Sequence, residues 1–166
     1  MLEEPAEPDM ELIRETAAGI GEVWKSHPGI GQYMMLVPAA ACIQNRYLPQ
    51  DASVRDQKKD LADIRRIMPS SLTWIDLIEA FDGHEGEKLY YATDVWLTGW
   101  GSRYAAKAAL EVMGAETFKR PQTCYLLSDS FTGTLEQDHT FLRKFTDKKN
   151  ERRESYVPDE WALYYS

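Results

Sequence analysis

Cysteine is scarce in this chain, long apolar runs are missing, and none of the residue spacings that mark the familiar catalytic sites is present. Each absence removes a class of protein. The two cysteines, Cys42 and Cys124, stand far apart among apolar neighbours. They read as buried free thiols in a reducing compartment, with a single disulfide as the alternative, and not as a disulfide scaffold. The longest apolar run, Tyr33 to Ile43, is interrupted by Pro38 and falls short of the ~18 residues that span a bilayer. The N-terminus, MLEEPAEPDME, lacks the basic region of a secretory leader, so the expected location is cytoplasmic.

Basic residues are also in short supply. The chain has 19 Lys and Arg against 27 Asp and Glu, a net charge of −8. Non-specific binding to nucleic acid or anionic membrane needs the opposite balance. The late run Arg143 to Arg153 holds six basic residues but is diluted by Asp147, Glu151 and Glu154. It reads as a solvated linker or helix end, and direct nucleic-acid binding is not expected.

The catalytic inventory is thin. There is no HExxH, no paired cysteine and no G-x-S-x-G elbow. Gly19-Ile20-Gly21, Gly29-Ile30-Gly31 and Gly99-Trp100-Gly101 are GxG fragments without a third glycine, so no phosphate cradle is expected. Two weaker sets are left. A metal enzyme would use His84, Glu85, Asp138 and His139, but their spacing puts no pair on one helical face. Nucleophilic catalysis would draw on Ser128 or Ser130, with Asp129 and His139. No cofactor is expected, and no motif resembles a known family.

What the chain does have is the composition of an ordinary globular protein, 43% hydrophobic and 28% charged. At 166 residues it reads as one domain, residues 9–166, behind an acidic arm at residues 1–8. Ile13, Ala17, Ile20 and Trp24 fall on one helical face behind Asp9. A polar helix is expected up to Met68, with Ser53 and Asp56 together resembling its cap. Another is expected over LTWIDLIEAF, burying Trp74, Ile75, Ile78 and Phe81. Residues 30–48 lack a polar face and should be buried on most sides, with a kinked helix preferred over a strand for Gln32 to Val37. For Leu89 to Leu97 strand and helix patterns compete, and helix is preferred. Gly99-Trp100-Gly101 reads as a break, with a helix from Arg103 to Met113 after it. Thr134 with Gln137 opens a further helix, and Pro158 another. The expected fold is therefore mainly α, seven or eight helices with a small β element near residues 123–128, and α+β as the alternative.

The remaining signal is a concentration of acids beside aromatics. Asp76, Glu79, Asp82, Glu85 and Glu87 precede Tyr90, Trp96 and Trp100. Charge that steers encounter, with aromatics as anchors, is a common interface design. The expected function is therefore a non-enzymatic acidic protein that docks on a partner with a basic surface and inhibits it. A nucleic-acid-processing complex is the natural target, because phage counter-defence proteins (anti-CRISPR inhibitors among them) and immunity proteins share this composition. The oligomeric state is not readable.

Overall fold

The computed structural model describes residues 5–92, 94–116, 124–131, 133–134 and 151–156. The chain divides into two compact units, Glu4–Glu79 and Ala80–Ser166.

In the first unit, α1 (Met10–Ser26) starts where Asp9 accepts the amides of Glu11 and Leu12, at 3.0 and 3.1 Å. The side chain thereby satisfies orphan donors of the first turn. Strand β1 (Gln32–Met35) leads through Pro38 to a single helical turn, α2 (Ala40–Ile43), and a 3₁₀ turn at Asn45–Tyr47. Helix α3 (Gln57–Ile67) is capped by Asp56, which accepts the Lys59 amide. The Gln57 side-chain oxygen Oε1 accepts the Ala39 amide at 2.7 Å and ties α3 to the turn before α2. Strand β2 (Leu72–Ile75) runs parallel to β1, in the register Gln32 to Leu72 and Met35 to Ile75. Helices α1 and α3 lie against each other. Ala17, Ala41, Ile43, Ile64, Ile75 and Leu77 form the buried apolar set. Near the start of the unit, Glu7 reaches the Arg55 guanidinium at 3.5 Å, and Arg55 is held on its other side by Asp60.

Helix α4 (Leu77–Phe81) crosses from one unit into the other. In the second unit α5 (Gly99–Val112) lies against β4 (Glu151–Tyr156), and β4 pairs antiparallel with β3 (Cys124–Phe131). Phe81 is fully buried and meets the Tyr90 ring edge-on, with centroids 6.2 Å apart. Leu89, Tyr91 and Ala105 complete this core.

The expectation of seven or eight helices in a mainly α fold is overturned. Five α-helices and two two-stranded sheets occur among the described residues, and the fold is α+β. The departures at β1, β2 and β4 share one cause: local periodicity loses to pairing with a distant segment. Within Gln32 to Val37, Gln32–Met35 forms a strand because Leu72–Ile75 lies beside it. LTWIDLIEAF is split, with Thr73-Trp74-Ile75 extended and Asp76 capping the short α4 through the Ile78 and Glu79 amides. ERRESY pairs as β4, so a charged segment expected to be solvated becomes a strand. Leu89 to Leu97 is not a helix: Tyr90 and Leu97 form an isolated antiparallel bridge around a loop. The small β element expected near residues 123–128 is present as β3. The helices expected beyond Gln137 and at Pro158 lie outside the described residues.

Candidate functional site

The second unit brings together two sets of chemical groups. The first begins at the end of α4, where Gly83 takes a positive φ of 78° and turns the chain back. Glu85 follows the turn and accepts the Gly83 amide at 3.2 Å. His84 then faces Glu87, with Nδ1 2.7 Å from Oε1. The Tyr104 hydroxyl of α5 donates to the same carboxylate, at 2.9 and 3.1 Å. The His84 and Tyr104 rings stack at 4.0 Å, and Trp100 continues the stack from one turn earlier on α5, its centroid 6.4 Å from that of Tyr104. A carboxylate on Nδ1 fixes the ring and leaves Nε2 as the second functional nitrogen.

The second set centres on the loop between Leu89 and Thr98. The Tyr91 amide donates to the Trp96 carbonyl, and the Thr98 amide to that of Leu89. The Thr98 hydroxyl donates to the Lys88 carbonyl and accepts the Gly101 amide, so one side chain closes the loop and caps α5. Gly99-Trp100-Gly101 is therefore the first turn of the helix and not a break. Inside the loop Asp94 is only 7% exposed. Its Oδ1 accepts the Val95 amide at 2.8 Å and the Thr134 hydroxyl at 3.1 Å. Thr134 stands just past the end of β3, the strand that carries Ser128, Asp129 and Ser130. A buried carboxylate is thus held against the chain leaving the carboxyl end of a serine-bearing strand.

The residues singled out in the sequence do not form one surface patch. Asp76 and Glu79 belong to the first unit, where Asp76 is spent on the α4 amides and on Arg65 at 3.6 Å. In the second unit Asp82 and Glu87 are exposed and Glu85 is half-buried. Tyr90 is core, Trp100 is half-buried and Trp96 is 68% exposed. Of the suggested metal set, His84 pairs with Glu87 instead of Glu85, while Asp138 and His139 lie outside the described residues. No group of three or more metal-ligating side chains occurs among the described residues. Asp94 and Thr134 were missed: in the sequence Asp94 is one acid among many, and its link to Thr134 spans 40 positions.

The first unit offers less. A cavity of about 180 Å³ is lined by Leu36, Leu61, Trp74 and Leu77, with Lys58 and Arg65 among its polar residues. Typical small-molecule sites occupy ~300–1,000 Å³. Cys42 is a free thiol. Burial pushes it above the ordinary thiol range, with Lys58 pulling the other way, so it is a poor nucleophile at neutral pH.

Comparison with solved structures gives this arrangement a context. The fold is similar to that of a DHHW family protein from Eubacterium siraeum, with a TM-score of 0.73 and 20% identity over 94% of this chain. It is similar to Bacillus cereus PatB1 carrying a sulfonyl adduct, at 0.69 and 15% over 96%. It is also similar to the O-acetyltransferase domain of Pseudomonas putida AlgJ, at 0.58 and 19% over 92%. The chain spans about half the length of these proteins, 50%, 53% and 57% respectively. No family model matches the sequence, and no curated protein does.

Proposed function

We propose that the chain performs serine-based acyl transfer, with Ser130 as nucleophile and Asp94 as the buried acid of the site. The observation that carries this reading is the Thr134–Asp94 hydrogen bond, which fixes a buried carboxylate beside the segment leaving β3. Ser130 stands near the carboxyl end of that strand, four residues before Thr134. The likeness to an O-acetyltransferase domain, and to a protein bearing a sulfonyl adduct, supports the same reading, because sulfonyl groups are captured by activated nucleophiles.

In such a site the serine Oγ attacks the acyl carbonyl and its proton passes to a histidine. The donor's leaving group departs with that proton, and the acyl-enzyme is then opened by an acceptor hydroxyl or water. The acid holds the imidazole in the correct tautomer and stabilises it when charged. His139 and His84 are the two histidines in this half of the sequence. The carboxylate on His84 Nδ1 is Glu87 and not Asp94, so the base assigned to Asp94 in this proposal is His139.

The test is covalent capture. The purified chain treated with phenylmethylsulfonyl fluoride is expected to gain one sulfonyl group, lost in Ser130→Ala and kept in Ser128→Ala. Asp94→Asn should slow p-nitrophenyl acetate turnover by roughly 10²–10⁴-fold, the scale seen when a triad acid is neutralised. An unmodified wild-type chain overturns the proposal.

A second reading has one specific observation in its favour. Trp96 is an exposed tryptophan on a loop closed at both ends by backbone hydrogen bonds, a suitable anchor for a protein partner. A basic partner, and inhibition of it, would follow from the net charge of −8. None of the similar structures points to an inhibitor.

A further inference from the structure

Helix α3 carries its charges in two arrangements. Its acids are answered within the unit: Asp60 by Arg55, and Asp63 by Arg66 at 2.7 Å. Lys58, Leu61, Ala62 and Arg65 are spaced so that their side chains lie over one another along one stripe of a helix. All four line the cavity of about 180 Å³ in the first unit. Leu36 just after β1, Trp74 on β2 and Leu77 at the start of α4 extend its apolar lining. Every lining residue falls between Leu36 and Ile78, so the cavity is built by the first unit alone.

The two cations of this cavity are not equivalent. Arg65 faces Asp76 at 3.6 Å, and Asp76 also accepts the Ile78 and Glu79 amides. Charge is therefore balanced at that end. Lys58 has no hydrogen bond and no ion pair among the described residues. Its ammonium is close enough to the half-buried Cys42 thiol to work against the rise that burial imposes there. Seven residues of helix separate the two cations, about 10 Å along the axis. The cavity is thus apolar through its middle, neutral at the Arg65 end and positive at the Lys58 end. Lys58 also lies in the first turn of α3, where the helix dipole favours an anion. An apolar cavity of about 150 Å³ is large enough to take benzene. The Trp74 indole on its wall offers a ring for offset or edge contact with another aromatic.

We propose that this cavity binds a small aromatic monocarboxylate the size of benzoate, with the ring among Leu36, Leu61, Trp74 and Leu77 and the carboxylate on Lys58. The apolar lining selects the ring, and the unanswered ammonium selects a single negative charge. The site is separate from acyl transfer, since none of its lining residues belongs to the unit that holds Asp94 and Ser130.

The experiment is isothermal titration of the whole chain with benzoate, benzamide and acetate. Benzoate is expected to bind saturably at one site. Benzamide, which keeps the ring without the charge, and acetate, which keeps the charge without the ring, should each bind at least about tenfold more weakly. Lys58→Gln should weaken benzoate about tenfold and bring it level with benzamide. Ala62→Leu, which adds bulk to the cavity wall, should weaken benzoate and benzamide alike. Both positions are exposed on α3, and Gln and Leu are good helix formers, so both variants are expected to fold. Lys107→Gln on α5 and Ser130→Ala should bind benzoate as the wild type does. A wild-type chain that does not bind benzoate overturns the proposal, as does equal affinity for benzamide or a Lys58→Gln variant with unchanged affinity. Loss of binding in Ser130→Ala also overturns it, because benzoate would then occupy the acyl-transfer site.

Discussion

Two stretches of this chain look alike on paper and fold differently. Residues 30–37 and 89–98 are both apolar and aromatic, and both fit a helix and a strand pattern. The first becomes a regular strand with one exposed face, because β2 lies beside it in register. The second makes one bridge, Tyr90 to Leu97, and otherwise closes on itself through side chains: Asp94 inside the loop and Thr98 at its exit. Pairing with another segment yields a surface, and internal closure yields a compact loop that buries Leu89, Tyr90 and Tyr91 while leaving Trp96 outside. The difference lies in what each stretch finds to bond with, since the local pattern is equivalent.

The internally closed loop should be the more brittle of the two, and Gly101 is where it breaks first. A Cβ there would lie 2.2 Å from the Leu89 carbonyl oxygen, a backbone atom that is itself bonded to Thr98. Neither side can give way without opening the loop or shifting the start of α5. Gly101→Ala is expected to destabilise the chain by about 3 kcal/mol, the upper range for forcing atoms into a packed site. For a protein of this size that corresponds to a loss of roughly 6–12 °C in melting temperature. A matched change just before the open stretch, Gly29→Ala, meets nothing within 4 Å and should cost little. Equal melting temperatures for the two variants would remove the contrast.

This contrast also explains which parts of the fold were legible in advance. Helices α1 and α3 were, because Asp9 and Asp56 are local caps and the apolar spacing behind them is local too. Strands β1, β2 and β4 were not, because a short segment becomes a strand only when its partner is adjacent, and the β1–β2 pairing joins Gln32 to Leu72. The Gly99-Trp100-Gly101 run misleads for a related reason: glycine reads as a helix breaker, while at Gly101 it is needed for close approach to Leu89. The acids and aromatics were visible, but not their division into Asp76 at a helix start, Glu87 beneath His84 and Tyr104, and Asp94 buried with Thr134. Chemical type is local and pairing is not.

Thr98 tests whether closure or capping dominates within the loop. Its hydroxyl donates to the Lys88 carbonyl at 2.5 Å and receives the Gly101 amide at 3.3 Å. Thr98→Ala removes both, and loss of an N-cap alone costs ~0.5–2 kcal/mol. Thr98→Ser keeps the hydroxyl and should recover most of the difference. Thermal melts of the two variants measure it. If serine is as damaging as alanine, the methyl group and its packing matter more than the hydrogen bonds.

The smallest expected effect on stability belongs to Trp96, and for that reason it is the most informative about function. A large aromatic at 68% exposure has little burial to lose, and its backbone carbonyl, which accepts the Tyr91 amide, is kept in any substitution. Trp96→Ala should therefore stay within about 0.5 kcal/mol of the wild type, the range for surface changes away from special features. Its neighbour Leu97, half-buried and bridged to Tyr90, should cost several times more when cut to alanine. A stable Trp96→Ala variant with unchanged covalent capture at Ser130 would separate the loop's display of Trp96 from the chemistry near Asp94. A stable variant with impaired capture would instead tie the indole to the acyl-transfer site. A large loss of stability would show Trp96 to be packed, and the loop would then have no display role.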